Sequence, residues 1–189
     1  KAVNNGSLSM KDLDKAVRNV LTLIQKAEDG YAPATKWDKE KQHELAGKIE
    51  SECAVLLKND DKILPLDKSA KIAFIGEFAD KPRYQGGGSS HINSFKVTSA
   101  LEAVKGMDNI TYAQGFVTDR DETVDELLDE AVELAKNSDV AVIFAGLPES
   151  FESEGFDRKH MRMPDCQLKL IDEIAKVNEN VVIVLHNGS

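Results

Sequence analysis

The side chains best suited to chemistry form an acidic cluster that follows a strongly apolar run. Residues 151–158 read Phe-Glu-Ser-Glu-Gly-Phe-Asp-Arg, so three carboxylic acids and one arginine lie close together. Glu152 and Glu154 are two residues apart, and in extended backbone their side chains point the same way. Gly155 permits a turn that a residue with a Cβ atom resists. One interpretation is a carboxyl group aimed into a binding crevice; the other is a solvated acidic loop tethered by its own aspartate and arginine.

The apolar run before this cluster predicts the strand that must position it. Residues 139–146 (DVAVIFAG) have the length and the valine and isoleucine content of a strand buried on both faces. Similar runs occupy residues 71–76, 109–115 and 180–185. Helical patterns between the four runs predict an α/β fold, in which a mostly parallel sheet is flanked by helices on both faces as an α/β sandwich. Ligand crevices of such sheets form at the carboxyl ends of the strands, where the acidic cluster lies.

Capping residues mark the helices between the strands. Ser99 and Glu102 form a capping box for a short helix. Thr123 and Glu126 predict the start of a longer one in the same way. A last helix begins near Pro164. Its inward-facing side chains are expected to be Leu170, Ile171, Ile174 and Ala175.

The first third of the chain is less regular. Residues 9–27 predict an amphipathic helix that Ser9 can cap, and no neighbouring segment explains what its apolar stripe packs on. Residues 28–35 are rich in helix-breaking residues, and a second helix is predicted to start near Asp38. Residues 55–66 carry two apolar runs around Asn-Asp-Asp, which predicts a chain reversal with strand-like arms.

A second long connection follows the first predicted strand. Residues 77–93 include the segment Pro-Arg-Tyr-Gln-Gly-Gly-Gly-Ser-Ser-His. Its glycines expose backbone N–H groups and let a ligand approach closely, which suits a phosphate or a sugar hydroxyl. The spacing fits neither a P-loop nor a dinucleotide-binding loop, and the alternative is a flexible surface loop. Because both long connections follow strands of one parallel sheet, they can border one crevice.

Composition excludes several classes of function. The chain has 189 residues, 41% of them apolar, which suits one main domain. Its net charge is −9, so nucleic acid is not expected as a partner and a neutral or cationic small ligand fits better. No apolar run approaches the length of a membrane span, and the compartment stays open. Cys53 and Cys166 have no metal-binding spacing, so neither a metal nor a cofactor is expected.

Six motifs in a fixed order resemble those of glycoside hydrolase family 3. They lie at residues 43–46 (HELA), 55–60 (VLLKND), 63–66 (ILPL), 82–90 (PRYQGGGSS), 152–158 (ESEGFDR) and 187–189 (NGS). The best-known members are β-glucosidases in which a (β/α)8 barrel precedes a six-stranded α/β sandwich. The resemblance implies that residues 38–189 are this sandwich domain, incomplete at its C-terminus. It also implies that residues 1–27 are the C-terminal helix of a barrel missing from the chain and that residues 28–37 are the interdomain linker.

The resemblance also assigns roles to individual residues. The glutamate before Gly-x-Asp-Arg in related β-glucosidases is the general acid/base, which corresponds to Glu154, with Glu152 as the runner-up. The nucleophile is an aspartate of the barrel, in a Ser-Asp-Trp-like motif that this sequence lacks, so the chain is expected to be inactive alone. A retaining mechanism requires the two carboxyl groups to lie about 5 to 5.5 Å apart. The expected substrate-binding residues are Arg83, Gln85, Ser89 and Phe156.

The implied activity is the hydrolysis of terminal β-D-glucosyl residues with retention of configuration. The expected partners are a β-glucoside or short β-gluco-oligosaccharide and the barrel domain of the same protein. Some family members that cleave N-acetylglucosaminides use a His-Asp pair instead of the glutamate, so Glu154 favours β-glucosidase-like or β-xylosidase-like chemistry. Two alternatives remain open. One is a non-catalytic carbohydrate-binding or interaction module with a solvated acidic lid, and the other is a nucleotide-binding flavodoxin-like domain.

Overall fold

The computed structural model describes residues 1–32, 36–155 and 158–188. Contacts divide the chain into two units, Lys1–Ser51 and Glu52–Ser189. The first unit contains helix α1 (Met10–Asp29) and most of helix α2 (Lys39–Cys53). The domain limits 1–27, 28–37 and 38–189 stay predictions, and residues 33–35 of the predicted linker lie outside the described residues.

Helix α1 is amphipathic, as its sequence indicates. The predicted cap is confirmed, because the Ser9 hydroxyl accepts a hydrogen bond of 3.0 Å from the Asp12 N–H group. The apolar stripe is exposed from Val17 (48%) to Ile24 (53%), whereas Leu13 at its start is partly buried. No helix in the described part of the chain combines the length and the apolar character that crossing a bilayer requires.

The second unit is built on a four-stranded sheet. Its strands are β1 (Ile72–Ile75), β2 (Ile110–Ala113), β3 (Val140–Gly146) and β4 (Val181–His186). They are arranged in the order β2-β1-β3-β4, and every neighbouring pair is parallel. The four predicted strands are thus confirmed as parallel neighbours in one sheet.

The two central strands form the middle of the core. Every residue of β1 and β3 is buried, as the uninterrupted apolar run before the acidic cluster predicts. Phe74 and Phe144 pack against each other from adjacent strands, with ring centroids 4.9 Å apart. Burying such a side chain stabilises a fold by roughly 1.5 to 3 kcal/mol, so the centre of the sheet is a firm base for the loops that leave it. The edge strand β4 is less covered: Ile183, Val184 and Leu185 are 37–45% exposed.

In the described part of this unit, three helices follow the first strand. They are the short α3 (Ala100–Ala103), α4 (Asp125–Lys136) and α5 (Asp165–Ala175). Helix α4 packs on β1 and β2, and α5 packs on β3 and on α4. The predicted α/β fold class with a parallel sheet and packed helices is therefore confirmed. A single 3₁₀ turn, Glu77–Ala79, directly follows β1.

Several local predictions are confirmed and others are wrong. Ser99 caps α3 by accepting from the Glu102 N–H group. Thr123 caps nothing, because α4 begins two residues later and Val124 holds the N-cap position without a side-chain bond. Ala175 was expected to face inward but is exposed. The buried residues of α5 recur every fourth position, and the last of them is Ile174. The residues at this spacing are Cys166, Leu170 and Ile174.

Residues 55–66 form a turn but no strand-like arms. The Asn59 side chain replaces the expected strand pairing, because it bonds both backbone groups of Leu64. Its amide nitrogen donates to the Leu64 carbonyl at 3.0 Å, and its oxygen accepts from the Leu64 N–H group at 3.1 Å.

Candidate functional site

Two long loops leave the carboxyl ends of the central strands. The glycine loop (residues 77–93) follows β1, and the acidic loop (residues 147–163) follows β3. From β1 the chain continues to β2 at one edge of the sheet, whereas from β3 it continues to β4 at the other edge. The two loops therefore begin side by side at the point where the winding of the sheet reverses, which is where open α/β sheets form ligand crevices.

Arg83 of the glycine loop binds the start of the acidic loop. Its Nη1 donates to the Leu147 carbonyl and to Oε2 of Glu152, the latter at 2.8 Å. Its Nη2 donates to the Glu152 carbonyl at 3.1 Å. The Arg83 side chain is only 11% exposed and that of Glu152 is 28% exposed, so this ion pair is largely shielded from solvent. Charge-assisted bonds of a planar guanidinium to several acceptors fix geometry as well as charge.

Close contact between the two loops continues past this ion pair. A parallel β-bridge joins Gly87 to Ser153, and the Glu154 N–H group donates to the Gly87 carbonyl at 3.4 Å. A Cβ atom on Gly87 would lie 2.6 Å from the Ser153 hydroxyl, and one on Gly88 would lie 2.6 Å from Cβ of Glu154. These glycines therefore allow the two loops to approach each other. From the sequence, they were expected to allow the approach of a ligand instead.

Glu154 lies at the end of this contact. Its Oε2 accepts a hydrogen bond of 2.8 Å from the Ser89 N–H group and a second one from the Ser89 hydroxyl. The hydroxyl bond first, and then the backbone bond, lower the pKa of Glu154 below its ordinary value. The residue is exposed. In this chain Glu154 is therefore an ionised, accessible carboxylate held by one serine.

The two glutamates of the acidic cluster thus have different surroundings. The Glu152 carboxylate forms an ion pair with Arg83. It also packs closely on Gly188, where an added Cβ atom would lie 3.0 Å from the Glu152 carboxyl carbon. Glu154 contacts only the tip of the glycine loop in the bonds described above. Of the two candidates, Glu154 is the one whose carboxylate is accessible to a ligand.

A cavity of about 440 Å³ opens between the loops. Arg83, Tyr84 and Gln85 line it from the glycine loop, and Pro148 and Glu149 line it from the acidic loop. The Gln85 side chain accepts from the Ile92 N–H group at 3.0 Å, which fixes its position in the loop. Ser89 and Glu154 are not among the lining residues that the structure describes. Of the predicted site residues, Arg83 and Gln85 therefore line the cavity, whereas Ser89 and Glu154 contact each other outside it. All four lie on the same two loops.

Phe156, the remaining predicted substrate-binding residue, lies outside the described residues. Among the residues that are described, no three His, Cys, Asp or Glu side chains are grouped to hold a metal ion.

The family model of the "glycosyl hydrolase family 3 C-terminal domain" matches residues 54–189. This chain belongs to glycoside hydrolase family 3. The match covers the whole sheet and both loops, so the loop contacts described above are features of a family 3 domain.

Relatives and solved structures agree with this membership. Thermostable beta-glucosidase B of Acetivibrio thermocellus is 46% identical over the whole chain, which covers 26% of that protein. The exo-alpha-(1->6)-L-arabinopyranosidase of Bifidobacterium longum is 43% identical, again over the whole chain and 26% of the relative. The crystal structure of a Bifidobacterium adolescentis GH3 beta-glucosidase matches with a TM-score of 0.89 and 43% identity, over 97% of this chain and 27% of that one. The chain thus spans about a quarter of the length of these family 3 proteins.

Sequence reasoning missed three polar contacts of this family 3 domain. It gave no sign of the Arg83–Glu152 ion pair or of the contact between His91 Nε2 and Glu149 Oε1, which are 2.6 Å apart. It also overlooked Glu77, a buried carboxylate that accepts from the Thr118 N–H group at 2.7 Å and from Lys81 Nζ at 3.0 Å. The only available signal was that each charged residue follows a buried strand, at the edge where the loops meet.

Proposed function

We propose that this chain is the part of a retaining β-glucosidase that supplies the general acid/base, Glu154, and part of the substrate pocket. The observation that carries the proposal is the different state of the two glutamates. The Glu152 carboxylate is engaged in an internal ion pair with Arg83. The Glu154 carboxylate is accessible and is held by Ser89 near the carboxyl ends of the central strands. The β-glucosidases among the relatives support this reaction class.

In the proposed reaction, Glu154 acts twice. As an acid it donates a proton to the glycosidic oxygen while an aspartate nucleophile forms the glycosyl-enzyme bond and the alcohol leaves. As a base its carboxylate then takes a proton from the water that breaks this bond and releases the sugar. The first step needs a protonated Glu154, although Ser89 favours the ionised form in this chain. A second carboxylate brought close in the complete enzyme would raise the pKa of Glu154 and supply that state.

The proposal places the nucleophile in a barrel domain beyond this chain. Residues 1–27 would be the last helix of that barrel and residues 28–37 the linker, with the sandwich domain at 38–189. The exposed apolar stripe of α1 supports this arrangement, because it is the kind of surface that a barrel would cover. The chain covers only a quarter of its relatives, which supports the same view.

The proposed substrate is a β-glucoside or a short β-gluco-oligosaccharide. Its contacts would come from Arg83, Gln85, Ser89 and Phe156, with Arg83 limited to the small part of its side chain that is accessible. A relative that is named as an arabinopyranosidase is almost as similar as the β-glucosidase. We therefore expect sugar preference to depend mainly on residues of the barrel.

Azide rescue in the full-length protein tests the assignment of Glu154. Glu154→Ala should slow deglycosylation of an activated aryl β-glucoside, and added azide should restore turnover by forming the glycosyl azide. Removing the acid/base costs roughly 10² to 10⁴ in rate, so the rescue is easily measured. The matched control is Glu152→Ala, which should show no rescue because Glu154 still occupies the site.

The opposite pattern, rescue of Glu152→Ala but not of Glu154→Ala, would give the role to Glu152. If neither variant loses activity while the chain still binds the sugar, the domain is a carbohydrate-binding module instead.

A further inference from the structure

We propose that Arg83 is a positioning residue for Glu154, and this inference rests on the function proposed above. Arg83 does not touch Glu154. It holds the acidic loop at two of its backbone carbonyls, those of Leu147 and Glu152, and at the Glu152 carboxylate. The first carbonyl lies directly after β3 and the second lies two residues before Glu154.

These contacts fix the segment that carries Glu154. The guanidinium spans residues 147–152, so one rigid group determines the path of the chain from the end of the strand to the acid/base. The Gly87–Ser153 bridge continues this path by one residue, and Ser89 holds the carboxylate itself. Arg83, Gly87 and Ser89 belong to the same glycine loop, so displacement of this loop at Arg83 is transmitted to Glu154.

Arg83 also determines the charge beside Glu154. Glu152 is 28% exposed and two residues away, and without Arg83 it would be an unpaired, partly buried carboxylate. Such a charge is unstable and drives rearrangement of the loop. The Leu147 carbonyl, in a residue that is fully buried, would also lose its donor.

Lysine cannot replace this arginine. It keeps the positive charge, but its single ammonium group does not reproduce the planar set of donors that reaches three acceptors at once. Arg83→Lys therefore removes the planar arrangement of donors while it keeps the positive charge. The matched control is Arg120→Lys, because Arg120 is a half-exposed arginine whose partners, Asp119 and Glu122, are on the surface.

The test compares two substrates in the full-length protein. A 2,4-dinitrophenyl β-glucoside needs little protonation of its leaving group, whereas a phenyl β-glucoside depends on the general acid. Arg83→Lys should lower kcat/KM for the phenyl glucoside roughly 10- to 100-fold more than for the dinitrophenyl glucoside, since small displacements of a catalytic group have effects of this size. Azide should not restore the rate, because the Glu154 carboxylate remains in place. Arg120→Lys should behave as the unmodified protein.

Each other outcome has a defined meaning. An equal loss on both substrates, with a raised KM, would show that Arg83 acts only through the substrate contact proposed above and would overturn the positioning role. No change on either substrate would overturn it as well. Glu154→Ala serves as the reference: if it shows no dependence on the leaving group, the proposed function itself fails. If it shows that dependence and Arg83→Lys does not, only the positioning role fails.

A second variant guards against poor folding of Arg83→Lys. Glu152→Gln leaves both backbone acceptors of Arg83 and removes one charge of the pair. It should show the same preference for the activated substrate to a smaller extent, without azide rescue. Equal activity of Glu152→Gln on both substrates, relative to the unmodified protein, would contradict the inference.

Discussion

Ser89 determines the ionisation of Glu154 in this chain. Both the hydroxyl and the N–H group of Ser89 donate to one carboxylate oxygen, and donors of this kind stabilise the charged form. A general acid must instead be protonated when its substrate binds. If Glu154 is the general acid proposed above, a neighbouring carboxylate in the complete enzyme would have to raise its pKa by more than the Ser89 bonds lower it.

Substituting Ser89 should reveal this effect. In Ser89→Ala the hydroxyl bond is lost and the backbone bond remains, so the pKa of Glu154 should rise towards its ordinary value. The measurement is a ¹³C NMR titration of the Glu154 carboxyl carbon in this chain. Ser90→Ala is the control, because the Ser90 hydroxyl donates to the Gly86 carbonyl. An unchanged pKa in Ser89→Ala would show that the hydroxyl has no influence on Glu154.

Helix α5 depends on an acid that is distant in sequence. Its N-cap position is Pro164, which provides no side-chain acceptor. The Asp121 carboxylate replaces it by accepting from the N–H groups of Asp165 (3.0 Å) and Cys166 (2.9 Å). Burial raises the pKa of Asp121, but these two hydrogen bonds, a bond from the Cys166 thiol and the charge of Arg162 together lower it more, so the net pKa lies below the ordinary value.

Asp121→Ala should therefore lower the free energy of unfolding by about 1 kcal/mol, the usual effect of losing a helix cap. Because the folded-state pKa is lowered, the contribution of Asp121 is complete above the unfolded-state pKa, near 3.9, and is lost as pH falls through the folded-state value. Urea unfolding of this chain at pH 7 and at acid pH measures both effects. Asp172→Ala removes an exposed acid of the same helix as a control. A loss of stability in Asp121→Ala that persists unchanged in acid would contradict the capping role.

Local patterns in the sequence were enough to predict the four strands and most of the helices, but not the strand-free turn at residues 55–66 or the contacts across the chain. Four apolar runs specified the strands, and the positions of the loops followed from the parallel sheet. The start of α4 was misplaced because the Thr-x-x-Glu spacing occurs two residues before the helix that it was expected to cap. The partners of Arg83 and Glu154 lie 69 and 65 residues away, respectively. No sequence periodicity connects residues so far apart. These pairs could be identified only from the folded structure, in which β1 and β3 are adjacent strands.

At the scale of the whole molecule, the function proposed above places the nucleophile in a barrel domain and the general acid/base in this chain. On that proposal Glu154 cannot complete a retaining reaction by itself, because the covalent intermediate needs the barrel aspartate. The purified chain should therefore show no turnover of a nitrophenyl β-glucoside above that of buffer. The full-length protein, assayed in parallel, should be active. Turnover by the chain alone that Glu154→Gln abolishes would contradict this division of the site.

The contacts between the glycine loop and the acidic loop also limit how family 3 domains can be recombined. Arg83 with Glu152, Gly87 with Ser153 and Ser89 with Glu154 are matched pairs. A chimera that takes one loop from each of two parents keeps these pairs only where both parents carry matching residues and loop paths. Crossovers before residue 71 or after residue 163 keep the pairs together. For protein engineering, the two loops are therefore best transferred as one unit, from β1 to the end of the acidic loop.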